Sequence, residues 1–170
     1  MKNYYTRLAR LALAEYLNSG KKIDVPDDYP KELKERRAGC FVSYHKGEEL
    51  RGCIGTFLPA KSCLAEEIIS NSIAASRDPR FLPLTKDELR VLSIKIDILS
   101  PPEKTKIENL NPKKYGVIIK TKNCRAGLLL PNLKGVDSAE KQIEICRQKA
   151  GINPEEKIEI YRFEAERYEE

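Results

Sequence analysis

Tryptophan is absent from these 170 residues, and methionine and histidine occur once each. Long apolar runs are missing too. The longest, Gly127-Leu128-Leu129-Leu130-Pro131, falls far short of the roughly 20 residues that span a bilayer, so no membrane partner is expected. The opening Met1-Lys2-Asn3-Tyr4-Tyr5 lacks the apolar core of a signal peptide, and a cytoplasmic location is the expectation. With His45 the sole histidine and no Cys-x-x-Cys, an ordinary zinc site has no ligand set, and no metal is expected. Gly-x-Gly-x-x-Gly and Walker-type phosphate loops are also missing, so the sequence calls for no nucleotide cofactor. The five cysteines, Cys40, Cys53, Cys63, Cys124 and Cys146, are odd in number and widely spaced, unlike a secreted disulfide framework.

What is present suits one globular domain over residues 1–170, with 41% hydrophobic and 34% charged residues. The net charge of +5 mixes both signs along the chain, and Lys31-Glu32-Leu33-Lys34-Glu35-Arg36-Arg37 reads as a solvated helical face. Without a recognition motif or interleaved aromatics, nucleic acid is not an expected partner.

Tyr5, Leu8, Ala9, Ala12, Leu13, Tyr16 and Leu17 recur at helical spacing and stop at Gly20. Runs 39–45 and 49–57 predict strands joined at Lys46-Gly47-Glu48 as a hairpin. A second helix is expected from Leu64 to Ile73, and Thr85 with Glu88 forms a possible capping box. Leu92, Ile94, Ile96 and Ile98 alternate with polar residues as a half-wet strand. Runs 117–121 and 124–130 predict another hairpin. Asp137 with Glu140 is expected to cap a helix that Gly151 ends, and 158–163 predicts the last strand. Alternation and hairpins together predict an α+β fold with antiparallel sheet and flanking helices.

The stretch Leu50-Arg51-Gly52-Cys53-Ile54-Gly55-Thr56 carries the candidate chemistry. Strict alternation puts Arg51 and Cys53 on one face, with Leu50 and Ile54 on the other. Glycine weakens a strand, so Gly52 and Gly55 around Cys53 signal a bulge, a close backbone approach, or ligand access to the Cys53 and Ile54 amides. Arg51 supplies a planar fork for carboxylate or phosphate, and beside Cys53 it would favour the thiolate. His45 is the base available to a Cys–His pair. A three-residue turn puts His45 on the Cys53 face, and a two-residue turn puts it on the other. Each residue also has a structural reading: Cys53 as a small core side chain, His45 as a solvated turn residue, Arg51 as half of an ion pair.

The same string resembles the hallmark of the AMMECR-one family, named for the Alport syndrome, midface hypoplasia and elliptocytosis chromosomal region and including AmmeMemoRadiSam system protein A. Asp78-Pro79-Arg80-Phe81-Leu82-Pro83-Leu84 with Glu88-Leu89 resembles its second block, Gly127-Leu128-Leu129-Leu130-Pro131 the third, and Lys149-Ala150-Gly151 the fourth. Asn132-Leu133 departs from the glutamine and valine expected after the third block. The resemblance implies antiparallel sheets with flanking helices in two unequal lobes, one larger and one smaller. It carries over Arg51, Gly52, Cys53 and Gly55 from the hallmark and Asp78 and Arg80 from the second block, with Arg125 as a further anion contact. It also implies Memo-type and radical-SAM proteins as partners. It leaves open a cysteine-dependent enzyme acting on a small anionic ligand and a non-catalytic binding or adaptor module using the same residues.

Overall fold

An amphipathic stripe begins the chain. In the computed structural model, which describes residues 3–170, helix α1 spans Tyr4–Ser19 and buries Leu8, Ala9, Ala12 and Leu13. Met1 and Lys2, part of the stretch read for a signal sequence, lie outside the described residues. The Asn3 side chain accepts from the Thr6 amide at 3.3 Å, and Gly20, at φ 74°, closes the helix in the left-handed conformation that glycine adopts without strain. Helix α2, Lys31–Glu35, is one short turn that buries only Leu33.

Strands β1, Cys40–Lys46, and β2, Glu49–Gly55, form the expected hairpin. Its turn is the two-residue Gly47-Glu48, with Gly47 at φ 61°. Helix α3, Leu64–Ala75, follows, and then a 3-10 turn over Lys86–Arg90 that starts with the Thr85–Glu88 capping box. Strand β3, Leu92–Leu99, buries Leu92, Ile94, Ile96 and Ile98 as its alternation requires. The second half of the chain holds β4 (Glu103–Thr105), β5 (Gly116–Lys120), β6 (Ala126–Leu129), α4 (Ala139–Ala150), β7 (Glu159–Phe163) and β8 (Ala165–Glu169). The pattern did not predict β4 or β8, whose short polar-rich runs show no buried face from sequence. Ser138, not Asp137, caps α4: its side chain accepts from the Lys141 amide at 3.2 Å.

The fold is α+β, with two four-stranded sheets ordered β2-β1-β3-β8 and β4-β7-β5-β6. The chain divides into two compact units. Residues 1–99 with 166–170 make the first, where α1 and α3 cover one face of the first sheet over a core of Leu13, Val42, Tyr44, Ile68, Ile94 and Ile96. Residues 100–165 make the second, where α4 lies on β5 and β6 over Val117, Ile119, Ile143 and Cys146. Burial pushes the Cys146 thiol up to about 12, as expected of a small core side chain.

The third and fourth sequence blocks meet in this second unit. A Cβ on Gly127 would stand 2.2 Å from the Cys146 carbonyl oxygen, so glycine lets α4 sit directly on β6. Lys149 Nζ donates to the Leu128 carbonyl at 2.9 Å, and Gly151 at φ 60° ends α4. Gly127→Ala is expected to destabilise the protein by about 2 kcal/mol or more through overpacking against rigid helix backbone, read as a lowered Tm by circular dichroism. An unchanged Tm would show that α4 can move away without cost.

Candidate functional site

Strand β2 is an edge, so every other residue along it points its N–H and C=O away from the sheet. At Cys53 both groups are taken by side chains. The amide donates to Asp78 Oδ2 at 2.9 Å, and the carbonyl accepts from Arg80 Nη2 at 3.2 Å. Asp78 also accepts from the Arg80 amide at 3.1 Å, Arg80 Nε at 3.0 Å and Arg80 Nη2 at 2.6 Å. The Asp78–Arg80 pair therefore occupies the edge as a neighbouring strand would. With its side chain 1% exposed, Asp78 is held well below the usual carboxylate range, at about 2, chiefly by the Arg80 guanidinium and then by the two amides against the cost of burial.

The hallmark glycines allow two close approaches, of which the one at Gly52 serves this contact. A Cβ on Gly52 would lie 2.3 Å from the Ala75 carbonyl oxygen, and one on Gly55 2.4 Å from both the Cys40 carbonyl and the Phe41 ring. Neither has a positive φ, so space rather than backbone conformation demands glycine. Thr56 completes the string. Its hydroxyl donates at 2.6 Å to buried Glu67 on α3, whose other oxygen accepts the Ala60 and Lys61 amides at 2.8 Å each. Asn71, one helical turn on, donates to the Cys40 carbonyl at 2.9 Å.

The hairpin register departs from strict alternation. Tyr44 opposes Gly52 and His45 opposes Leu50, so Arg51 is an extra residue, a bulge on β2. The two-residue turn therefore does not remove His45 from the Cys53 face. Cys53 opposes Ser43, and His45, two residues along β1 from Ser43, shares that face, its Nε2 3.3 Å from Ser43 Oγ. Burial, then the charge of Lys95, lowers the His45 pKa and keeps the imidazole neutral at neutral pH.

The expected pairing of Arg51 with the Cys53 thiol is corrected by the same bulge. Arg51 Nε and Nη2 donate to Glu88 at 2.8 and 3.2 Å, and Nη1 donates to the Leu82 carbonyl at 2.7 Å. The side chain is 20% exposed. Glu88 both caps the 3-10 turn at Thr85 and receives this fork. Burial raises its pKa, but the Thr85 amide and Arg51 outweigh that and lower it overall. Arg80 is a cation within electrostatic reach of the half-buried Cys53. Arg125 lies in the second unit, where it donates to the Gly151 carbonyl and pairs with Glu156.

Three participants escaped the sequence reading: Ser43, Glu67 and Asn71. Glu67 and Asn71 stand four residues apart on the apolar stripe of α3, a spacing that signals buried polar partners facing one strand. Ser43 carries no such signal. Among the described residues, no group of three or more His, Cys, Asp or Glu side chains is poised to hold a metal, and no helix is long and apolar enough to cross a membrane.

Fold and site define a class of α+β proteins in which a glycine-flanked cysteine on an edge strand is clamped by an Asp-Pro-Arg turn after a helix. The AMMECR1 family profile matches residues 6–168, and the chain belongs to that family. It is 51% identical over 169 residues to a protein of Thermotoga maritima, covering 96% of each chain. It is 45% identical over 171 residues to protein CA_C1420 of Clostridium acetobutylicum, where the match takes in 99% of this chain but 36% of that longer one. The crystal structure of the uncharacterised protein PH0010 from Pyrococcus horikoshii superposes with a TM-score of 0.91 at 33% identity, over 98% of this chain and 90% of that one.

The depressed Asp78 pKa sets a pH dependence. A carboxyl whose folded value lies below its unfolded value stabilises the fold above the unfolded value, and that contribution is lost as pH falls toward the folded one. From 3.8 to about 2 this amounts to about 2 kcal/mol, lost between about pH 4 and pH 2. Asp78→Asn is expected to lower Tm at pH 7 and to flatten the acid limb of Tm against pH. An acid limb as steep as the wild type's would remove Asp78 from this role.

Proposed function

We propose that the chain is a binding module that receives an anionic group at Arg80 beside the Cys53 thiol. One observation carries the reading. Of the three arginines that the sequence nominates, Arg51 and Arg125 commit both terminal nitrogens to internal partners. Arg80 commits Nε and Nη2, and its Nη1 has no hydrogen bond among the described residues; the side chain is 59% exposed. A guanidinium already oriented by a buried carboxylate loses little freedom on binding, which favours recognition of a carboxylate or phosphate. Phe81 packs 5.5 Å from the guanidinium, and Leu82, 82% exposed, offers an apolar contact on the same turn. The anionic group belongs either to a small ligand or to a partner, and Memo-type and radical-SAM proteins are the partners that the family resemblance nominates.

A second reading, thiol chemistry at Cys53, draws support from the electrostatic reach between Cys53 and Arg80 and from the neutral His45 and Ser43 on the Cys53 face. Binding is preferred because the hydrogen-bonding groups nearest the thiol are committed to holding the strand.

The test of binding is inorganic phosphate followed by thermal shift, with a Memo-type protein in a parallel calorimetric titration. Phosphate is expected to raise the wild-type Tm, and Arg80→Gln to abolish that increment while weakening any partner affinity by about tenfold. An undiminished response of Arg80→Gln in both arms would refute the binding reading. Iodoacetamide labelling with mass mapping addresses the second one. Alkylation of Cys53 faster than that of exposed Cys124, slowed by phosphate, would favour thiol chemistry, and slower alkylation would count against it.

A further inference from the structure

The first unit contains a second hollow, independent of the hallmark, of about 420 Å³. It is lined by Asn3, Tyr4, Tyr5, Pro30, Glu32, Leu33 and Tyr168. Three of these seven are tyrosines, gathered from the two ends of the chain. Tyr5 and Tyr168 stack with ring centroids 4.1 Å apart and planes inclined by 31°, forming one wall. Tyr4, the next residue on α1, is fixed by the buried Tyr29 ring, packed edge-on at 5.7 Å. Leu33 is 1% exposed and closes the hollow from α2, while Glu32 stands at the rim with its side chain 60% exposed.

Charge decides what this shape is for. Arg36 stands beside the rim, its Nη2 bonding Glu166 at 2.6 Å and its Nη1 reaching Glu166 at 3.4 Å and Glu32 only at 3.5 Å. Arg36 is thus drawn chiefly to Glu166, which leaves the exposed Glu32 carboxylate at the rim available to a cationic ligand. Tyrosine faces carry negative quadrupole density and attract a cation over the ring, most effectively one that sheds water easily. A compact ammonium such as that of lysine holds its hydration. A methylated ammonium does not, and its methyl groups pack on Pro30 and Leu33.

We infer that this tyrosine-lined hollow between α1, α2 and β8 binds a quaternary ammonium group, with Tyr4, Tyr5 and Tyr168 receiving the methylated cation and Glu32 supplying the countercharge. Its position fits a free ligand such as choline or the trimethylated lysine of a peptide, since the hollow opens at the Glu32 rim.

Because the chain has no tryptophan, its intrinsic fluorescence comes from its eight tyrosines, three of which line this hollow. The experiment titrates the full chain with choline, with a trimethyl-lysine peptide, and with 3,3-dimethylbutan-1-ol, the neutral isostere of choline. Saturable quenching is expected with at least one of the two cations, and binding of the alcohol weaker by about tenfold or more. Glu32→Gln, an exposed change that leaves the fold alone, is expected to weaken the bound cation about threefold to tenfold. Tyr168→Leu, checked for unaltered far-ultraviolet dichroism, is expected to abolish the response. Failure of both cations to saturate overturns the inference, as does equal binding of the neutral isostere. Whichever cation binds more tightly identifies the source of the group.

Discussion

A buried carboxylate just past α3 clamps the open edge of the first unit's sheet. Asp78 stands just past the end of α3, almost without solvent contact, and takes the amide of Cys53 on the open edge of β2. Removing a carboxylate from water costs several kilocalories per mole unless donors replace the lost hydration. Here the Cys53 amide, the Arg80 amide and two guanidinium nitrogens do so. The contact requires the helix end to come within bonding distance of the strand, and any side chain on Gly52 would strike the Ala75 carbonyl. The hallmark glycine and the second-block aspartate, 26 positions apart, are two halves of one joint.

The rest of α3 repeats the same device at helical intervals. Glu67 gathers the Thr56 hydroxyl and two amides of the following loop, Asn71 takes the Cys40 carbonyl, and Ser72 bridges Tyr44 and the Ala9 carbonyl. A helix that buries Glu, Asn and Ser beside Leu64, Ile68 and Ile69 is poorly served by hydrophobic burial alone. What the polar side chains add is register. Each one accepts or donates at fixed places on β1, α1 or the loop after β2, so sliding the helix by one turn would leave buried groups unsatisfied.

Much of this is legible in the sequence. Helix α1, the first hairpin, the alternating β3 and the Thr85 capping box all announce themselves through local periodicity or a short-range cap, where the cause of the structure lies within a few residues of its effect. The hallmark glycines announced a close approach but not its partner. The error over Arg51 has one origin: alternation presumes an unbroken ladder, and the extra residue at Arg51 turns that side chain to Glu88 while keeping Cys53 with Ser43 and His45. Bulges are set by the partner strand and by what packs on it, which one strand's sequence does not contain. Strand β8 was missed for a related reason, since Ala165–Glu169 gains its identity only by returning beside β3.

The arrangement of charges bears on what such a scaffold is suited to do. A thiol enzyme needs acid, base and electrostatic groups left available for the transition state, where they stabilise charge that the resting site does not carry. Around Cys53 the amide, the carbonyl, the carboxylate and two of three guanidinium nitrogens are already engaged in the resting protein. Such a site is stiff and its charges are matched in advance. An exposed guanidinium already held by a buried carboxylate suits recognition, because the ordering cost of binding has been met during folding. Asp78 therefore serves two ends at once: the carboxylate that closes the sheet edge also fixes the Arg80 guanidinium, so a substitution that breaks the ion pair loosens both.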